Sequence, residues 1–149
     1  WEDRGAHTDD SIHALRALWN NEVASYQGTH SSFTDIYSFP KPANGTIPVV
    51  VGGHSKPAAR RAGKFGDGFF PADPRKLPEL LPVMRAAAEQ AGRDPDAIEI
   101  TTGGAPTVEI IKMLADLGVT RMLVPPLAMD PKKLPEAMGK FADEVISKF

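Results

Sequence analysis

The chain has 149 residues, 42% hydrophobic and 24% charged, with a formal net charge of −2 and no cysteine, which is typical of one soluble domain and excludes disulfides and thiolate catalysis. The balance of 17 basic against 19 acidic residues offers no basic patch to a nucleic acid or an anionic membrane surface. No apolar run approaches the ~18 residues of a membrane-spanning helix, and the chain does not open with a signal peptide, so we expect a cytoplasmic protein.

The first predicted element is an amphipathic helix over Asp9–Val23. Its apolar residues recur at three- and four-residue steps, at Ile12, Leu15, Leu18 and Trp19. The Asp-Asp-Ser sequence at its start supplies side chains that cap helix N-termini. Residues 26–46 break the pattern with aromatic residues, prolines and an Asn-Gly pair. We therefore expect a long loop or a small hairpin there, with its aromatic side chains packed onto the domain.

From residue 47 onward, strand and helix patterns alternate. The β-branched run Ile47–Val51 is typical of a strand buried on both faces, and glycines close two of the later helices. In chain order the predicted elements are strand Ile47–Val51, helix Lys56–Phe65, strand Phe69-Phe70, helix Leu77–Ala91, strand Ile98–Thr102, helix Thr107–Leu117, strand Arg121–Val124 and helix Pro131–Lys148. These are four consecutive β/α units.

The fold class predicted from this alternation is α/β. Such units build a parallel sheet through right-handed crossovers. We interpret residues 1–149 as one region, in which a helix and an irregular insertion (1–46) precede the four units (47–149). A closed TIM (β/α)8 barrel needs eight units and about 250 residues, so four units correspond to half of a barrel. An open, doubly wound four-stranded domain is the alternative.

The strongest candidate site is the turn that follows Ile47–Val51. Gly52 and Gly53 let the backbone approach a ligand, and Ser55 can cap the next helix or hydrogen-bond an anion. The helix start presents unpaired N–H groups and the positive end of the helix dipole, which favour a phosphate. His54, at the mouth of the turn, is a candidate ligand contact. Because the Walker pattern and the dinucleotide fingerprint are both missing, these residues alone leave phosphate binding and a plain strand-to-helix turn equally open.

Other candidates carry less weight. Gly103-Gly104 also lies between a strand and a helix, where many barrels bind phosphate after their last strands, although glycine turns are common for steric reasons alone. The histidines lack metal-ligand spacing, so we expect surface histidines and no metal site; they are His7, His13, His30 and His54. Arg60 and Arg61 are expected to form a solvated helix face rather than to steer an anion. No pairing of a nucleophile with a base is evident.

A series of short motifs runs through most of the chain in a fixed order. They are Arg4-Gly5, Ile12-x-x-Leu15-Arg16-x-Leu18-Trp19, Tyr26-x-Gly28, Tyr37-x-Phe39, Pro40-Lys41-Pro42, Ile47-Pro48-Val49-Val50-Val51-Gly52-Gly53, Arg60-Arg61-Ala62-Gly63-x-x-Gly66-Asp67-Gly68-Phe69 and Leu117-Gly118-Val119-x-Arg121. This series closely resembles the C-terminal half of luciferase-like monooxygenases, and within that superfamily the branch that uses the deazaflavin coenzyme F420 in place of FMN.

The resemblance implies a (β/α) barrel oxidoreductase that exchanges hydride between a deazaflavin cofactor and a small organic substrate. It also implies that the turn after Ile47–Val51 contacts the cofactor phosphate. The cofactor-binding residues predicted on this basis are Gly52, Gly53, His54, Ser55, Ala58 and Ala59. The FMN-using luciferases place an acidic residue and hydroxyl residues in this turn. Here His54 replaces the acid and Ala58 a hydroxyl residue, while Ser55 is kept, which favours F420 over FMN.

Members of this family are about twice as long as this chain, and the strands missing here carry the substrate pocket and the residues near the reactive ring. No catalytic residue can therefore be named. Half a barrel exposes two sheet edges and an unfilled interior, so we expect either a homo-oligomer or a missing N-terminal half. Two alternatives stand beside the F420-dependent oxidoreductase: an FMN-dependent luciferase-like monooxygenase, and a non-catalytic half-barrel module for binding or assembly.

Overall fold

A helix and a β-hairpin precede a four-stranded sheet in the computed structural model, which describes residues 2–149. The elements are, in chain order, α1 (Arg4–Asn20), β1 (Val23–Gln27), β2 (Ser32–Tyr37), β3 (Val50–Gly52), α2 (Lys56–Phe65), β4 (Gly68–Phe70), α3 (Leu77–Gln90), β5 (Glu99–Gly103), α4 (Val108–Asp116), β6 (Arg121–Leu123) and α5 (Leu134–Glu144). Short 3-10 turns occur at Pro74–Lys76, Pro95–Ala97 and Ile146–Lys148. Within residues 2–149, no helix combines the length and apolar character needed to cross a membrane.

Helix α1 begins five residues earlier than predicted and lacks the predicted cap. The residue before its first turn is Asp3, whose side chain makes no capping hydrogen bond. Asp9 and Asp10 lie inside the helix, where their carboxylates bind other elements. Asp10 accepts hydrogen bonds from the Tyr26 hydroxyl at 2.8 Å and from the backbone N–H of His30 at 3.1 Å. The predicted cap was wrong because these side chains have distant partners that local sequence does not reveal.

Residues 23–37 form a small hairpin, which was one of the two predicted alternatives, the other being a long loop. Strands β1 and β2 pair antiparallel, and the Asp10 carboxylate holds the hairpin turn against α1. The expectation that the aromatic residues pack onto the domain was wrong for Tyr37 and Phe39, which are 62% and 67% exposed. These two rings stack on each other instead, with centroids 6.2 Å apart.

Strands β3, β4, β5 and β6 form a parallel sheet in the same order as in the chain. The predicted parallel β/α alternation is therefore confirmed. The largest differences in boundaries are at the two ends of this series: the strand predicted at Ile47–Val51 is β3, Val50–Gly52, and the last predicted helix is α5 followed by a 3-10 turn. Most of the other predicted limits differ from the observed ones by one residue. Adjacent strands that follow chain order are typical of a barrel wall, whereas a doubly wound sheet reverses direction at a switch point.

One face of the sheet carries the core. Val51, Phe69 and Ile100 lie side by side in register and are buried. They pack with small residues of α2 and with leucines and Met84 of α3 in one hydrophobic cluster. Because side chains alternate between faces along a strand, the neighbouring residues must point away from these helices.

The opposite face, here called the bare face, is defined by Val50, Phe70, Glu99, Arg121 and Leu123. Val50 and Leu123 are 50% and 51% exposed, and Arg121 forms an ion pair with Glu99 at 2.8 Å. The prediction that Ile47–Val51 is buried on both faces was therefore wrong. Within the described chain the helices cover only one face, so Val50 on the other face remains half-exposed, although Thr101 on that face is buried.

Asp67, just before β4, joins several elements at the amino edge of the sheet. Its carboxylate accepts hydrogen bonds from the Val49 N–H at 2.9 Å and from Arg16 Nη2 at 3.2 Å. Arg93 lies 3.8 Å from the same carboxylate and donates to the Gly63 and Gly66 carbonyls at the end of α2. These contacts fasten α1 and α2 to the sheet at the edge opposite the candidate site.

Candidate functional site

The turn between β3 and α2 lies at the carboxyl edge of the parallel sheet, where ligands of α/β proteins usually bind. Gly53 has φ +132°, a conformation that side chains rarely adopt, and a Cβ there would lie 2.9 Å from the Ala58 Cβ. The Gly53 N–H donates to the Phe70 carbonyl at 3.2 Å. The backbone conformation and local packing therefore account for Gly53 without any ligand.

Neither backbone conformation nor packing within this chain explains why residue 52 is a glycine. A Cβ on Gly52 would meet only the Phe70 carbonyl oxygen, at 3.9 Å, which is ordinary van der Waals contact. Gly52 is exposed, and the alternation of β3 places it on the bare face with Val50. Since glycine weakens a strand interior, a glycine here leaves an open space beside the turn at a cost in strand stability.

Ser55 caps α2, as one of its two predicted roles requires. Its side chain accepts a hydrogen bond from the Ala58 N–H at 3.4 Å, and its carbonyl accepts from the Ala59 N–H at 3.0 Å. Among the hydrogen bonds of residues 2–149, none uses the N–H of His54, Ser55 or Lys56. The Ser55 hydroxyl proton is also available for donation. The turn thus presents several donors at the positive end of a ten-residue helix.

Ala58 and Ala59 lie beneath this turn rather than around its opening. Both side chains are buried in the hydrophobic cluster, and both N–H groups are already bonded to Ser55. Their small size allows α2 to approach Gly53 closely. Of the six residues predicted to bind the cofactor, the structure therefore gathers Gly52, Gly53, His54 and Ser55 at the surface of one turn.

The loop after β4 lies beside this turn and carries an ion pair that the sequence did not suggest. The two Asp73 carboxylate oxygens accept hydrogen bonds from Arg75 Nε and Nη2, each at 2.9 Å. These hydrogen bonds lower the pKa of Asp73 to about 2, with smaller contributions from the charges of Arg75 and His54. The signal available in the sequence was Asp-Pro, a common start for a helical turn.

The second candidate turn, at Gly103-Gly104, is explained by packing. A Cβ on Gly104 would lie 2.8 Å from Met122 Sδ and 3.2 Å from a methyl carbon of Leu114. A Cβ on Gly103 would lie 3.1 Å from the Ala72 carbonyl oxygen. Thr107 caps α4 by accepting from the Ile110 N–H at 3.3 Å. These contacts favour the steric interpretation of this glycine pair.

The histidines lie on the surface as predicted, and three of them lie away from the turn. The rings of His7 and His30 lie beside the hairpin, with centroids 5.0 Å apart. The rings of His13 and Phe65 pack edge to face, with centroids 4.9 Å apart. Among residues 2–149, no three histidine or carboxylate side chains are grouped so that they could hold a metal ion.

Arg61 corrects another prediction. Arg60 is exposed as expected, but Arg61 is half-buried and binds α1. Its Nε donates to the Asp9 carboxylate and its Nη2 to the Gly5 carbonyl at 2.9 Å. Arg61 therefore joins the middle of α2 to the first half of α1 and is not part of a solvated face.

The family model described as luciferase-like monooxygenase matches residues 1–110. The chain belongs to the luciferase-like monooxygenase family. An uncharacterised protein of Mycobacterium tuberculosis is 31% identical over 156 residues, which cover 97% of this chain and 54% of that protein. An F420-dependent glucose-6-phosphate dehydrogenase of Segniliparus rotundus is 29% identical, with coverage of 99% and 47%. The chain thus spans about half the length of these curated relatives.

Solved structures show the same fold at low sequence identity. The coenzyme F420-dependent tetrahydromethanopterin reductase from Methanopyrus kandleri has a TM-score of 0.75 at 15% identity, covering 95% of this chain and 63% of that protein. A riboflavin lyase solved with modified FMN has a TM-score of 0.59 at 21% identity, covering 78% of this chain and 32% of that protein. The fold of this chain, with its four-stranded parallel sheet, is therefore similar to part of these larger proteins.

Proposed function

We propose that this chain is the cofactor-binding C-terminal part of an F420-dependent oxidoreductase. Gly52 carries the proposal, because it leaves open space at the carboxyl edge of the sheet where internal packing does not require it. The unpaired N–H groups of His54, Ser55 and Lys56, at the turn formed by residues 52–55 and the start of α2, supply donors for an anion beside that space. Sequence relatives that use F420 support the choice of cofactor.

The residues of the turn fit a phosphate-bearing cofactor. The N–H groups of His54, Ser55 and Lys56 would hold the phosphate at the positive end of α2, and Ser55 would add its hydroxyl proton. The space over Gly52 would admit the chain that joins the phosphate to the ring. When bound, a deazaflavin supplies hydride transfer, and the protein contributes placement and electrostatics.

We propose further that the sheet is half of a TIM barrel, with the bare face as its interior. The strand order β3-β4-β5-β6 and the location of the core on one face support this assignment. In this arrangement Val50, Phe70 and Leu123 point into the barrel and need a cover. A preceding half of the same protein, or a second copy of the chain, would supply the cover and the substrate pocket.

The test is to titrate the purified, folded chain with oxidised and reduced F420, and separately with FMN, while following fluorescence. We expect F420 to bind, and Gly52→Val to weaken binding by roughly tenfold or more, because the branched side chain fills the open space. Valine suits a strand, so the fold should persist. Gly139→Ala, where a Cβ meets nothing within 4 Å, is the matched control and should bind normally.

Three results would contradict parts of the proposal. A folded chain that binds neither cofactor would favour the non-catalytic module. Binding of FMN alone would replace the deazaflavin by a flavin. Normal F420 affinity in the Gly52→Val protein would place the cofactor elsewhere.

A further inference from the structure

We propose that Asn44 is a site of spontaneous deamidation, at which the backbone nitrogen of Gly45 attacks the side-chain amide. The Asn44-Gly45 pair lies in the connection between β2 and β3, outside the candidate cofactor site. Because glycine has no side chain beside its nitrogen, attack is least hindered where a glycine follows the asparagine. The modification site does not depend on the proposed function.

The segment around Asn44 leaves both reacting groups accessible. Residues 43–48 are all exposed, and a Cβ on Gly45 would meet nothing within 4 Å. Among the hydrogen bonds of residues 2–149, none involves the Asn44 side chain. The Gly45 N–H donates to the Pro42 carbonyl at 3.0 Å and closes a single exposed turn. Local opening of this turn therefore frees the attacking nitrogen without unfolding the domain.

The reaction needs no co-reactant other than water. The Gly45 nitrogen forms a bond to Asn44 Cγ, the bond between Cγ and Nδ2 breaks, and the side-chain nitrogen leaves as ammonia with the proton lost from Gly45. Water then opens the resulting five-membered succinimide at one of its two carbonyls. One opening gives aspartate. The other gives isoaspartate, in which the main chain passes through Cγ and gains one atom. Both products add one negative charge at neutral pH.

A second pair able to form a succinimide, Asp67-Gly68, is protected by the fold. The Asp67 carboxylate accepts hydrogen bonds from the Val49 N–H at 2.9 Å and from Arg16 Nη2 at 3.2 Å. The Gly68 N–H donates to the Val49 carbonyl at 3.2 Å, and Gly68 is buried at the start of β4. Reaction at this pair would require β3 to separate from β4. The structure therefore distinguishes two pairs that the sequence alone leaves alike.

The chain is anchored on both sides of Asn44. Lys41 Nζ donates to the Leu18 carbonyl near the end of α1 at 2.7 Å, and the Val49 N–H donates to Asp67. These contacts lie outside the turn formed by residues 42–45. We therefore expect an added main-chain atom and an added charge at residue 44 to leave the fold intact, so that the modified chain accumulates in its folded form.

The experiment incubates the folded chain at mildly alkaline pH and follows deamidation by peptide mass spectrometry, with an enzymatic methylation assay for isoaspartate. Each pair is compared with an unstructured peptide of its own sequence. At Asn44 the rate in the protein should be lower than in the peptide by no more than roughly tenfold, since one neutral hydrogen bond must open. At Asp67 it should be lower by more than roughly a hundredfold, since two hydrogen bonds to a carboxylate must break.

Two variants test the assignment to Asn44. Asn44→Gln keeps the amide but lengthens the side chain, so the five-membered ring cannot form and the product should be lost. Asn20→Gln is the matched control, because Asn20 is also exposed but is not followed by glycine. This protein should deamidate at Asn44 at the wild-type rate. The unfolding midpoint of the aged wild-type chain should equal that of the fresh chain.

A reduction of the Asn44 rate by much more than tenfold relative to the peptide would overturn the proposal, because the turn would then protect the site. Equal protection of Asn44 and Asp67 would also overturn it, because both reactions would then follow global unfolding. An unfolding midpoint that falls as isoaspartate accumulates would contradict the expectation that the anchors isolate the modified turn.

Discussion

At the scale of single residues, Asp73 links stability to pH. Hydrogen bonds from Arg75 lower the pKa of Asp73 from 3.8 to about 2, so folding favours its ionised form. A depressed carboxyl pKa stabilises the fold above the ordinary value and ceases to do so as pH falls through the folded value. The free energy of unfolding of the wild type should therefore exceed that of Asp73→Asn near neutral pH, and the difference should shrink between about pH 4 and pH 2.

Urea unfolding at a series of pH values measures this difference. The matched background is Arg75→Gln, which removes the donor responsible for most of the effect on Asp73. In that background the change in unfolding free energy caused by Asp73→Asn should vary much less with pH. A difference that stays constant down to pH 2 with Arg75 present would contradict the assigned role of the pair.

The sequence predicted the position of some residues at the candidate turn, but it did not predict the partners of Arg61. Gly52, Gly53 and Ser55 were predicted because strand, glycine and cap signals lie within a few positions of one another. Arg61 was misassigned because its partners Asp9 and Gly5 lie more than fifty positions away. A pairing over that distance depends on how α1 and α2 pack, and no local pattern encodes it.

At the scale of secondary-structure elements, helix α2 depends on its cap. Ser55 is the N-cap, with extended backbone geometry and a side-chain bond to the Ala58 N–H. Ser55→Ala should lower the free energy of unfolding by about 1 kcal/mol, whereas Ser55→Thr should keep most of it. Thermal or urea unfolding gives the comparison.

The same two variants separate capping from ligand binding. If Ser55 also donates its hydroxyl proton to a phosphate, Ser55→Ala should weaken F420 binding, and Ser55→Thr should retain it. Equal stability of the alanine and wild-type proteins would mean that the 3.4 Å contact to Ala58 does not act as a cap.

The sequence predicted the ends of a helix well where the residues that start or end it lie within the helix or next to it. The predicted and observed limits of α2 are the same, and α3 ends beside Gly92, whose φ is +67°. Helix α1 and strand β3 differed because contacts elsewhere decide their ends. The Val49 N–H donates a hydrogen bond to the Asp67 carboxylate, so β3 starts only at Val50, where pairing with β4 begins.

At the scale of the whole molecule, the bare face explains why the burial prediction for β3 was wrong. The β-branched run Ile47–Val51 has the composition of a strand covered on both sides, but only α2 and α3 cover it here. Under the proposed half-barrel assignment, this composition reflects a strand that the rest of the barrel would cover. The apolar residues left in solvent on the bare face are then the surface that a covering partner would contact.

The last prediction concerns association through the bare face. Fully burying a side chain such as Val or Leu contributes roughly 1.5–3 kcal/mol, and a micromolar complex needs about 8 kcal/mol, so several half-exposed residues must be covered together. Val50, Phe70 and Leu123 lie on one face and can be covered by a single partner surface. At micromolar concentration the wild-type chain should sediment as a dimer or larger species.

The Val50→Lys, Leu123→Lys double variant should sediment as a monomer with a similar unfolding midpoint, because both positions already face solvent. Met129→Lys, at a position 89% exposed and outside the sheet, should associate like the wild type. A wild-type chain that remains a monomer would show that its bare face does not associate with a second copy, and would leave a preceding half of the same protein as its cover.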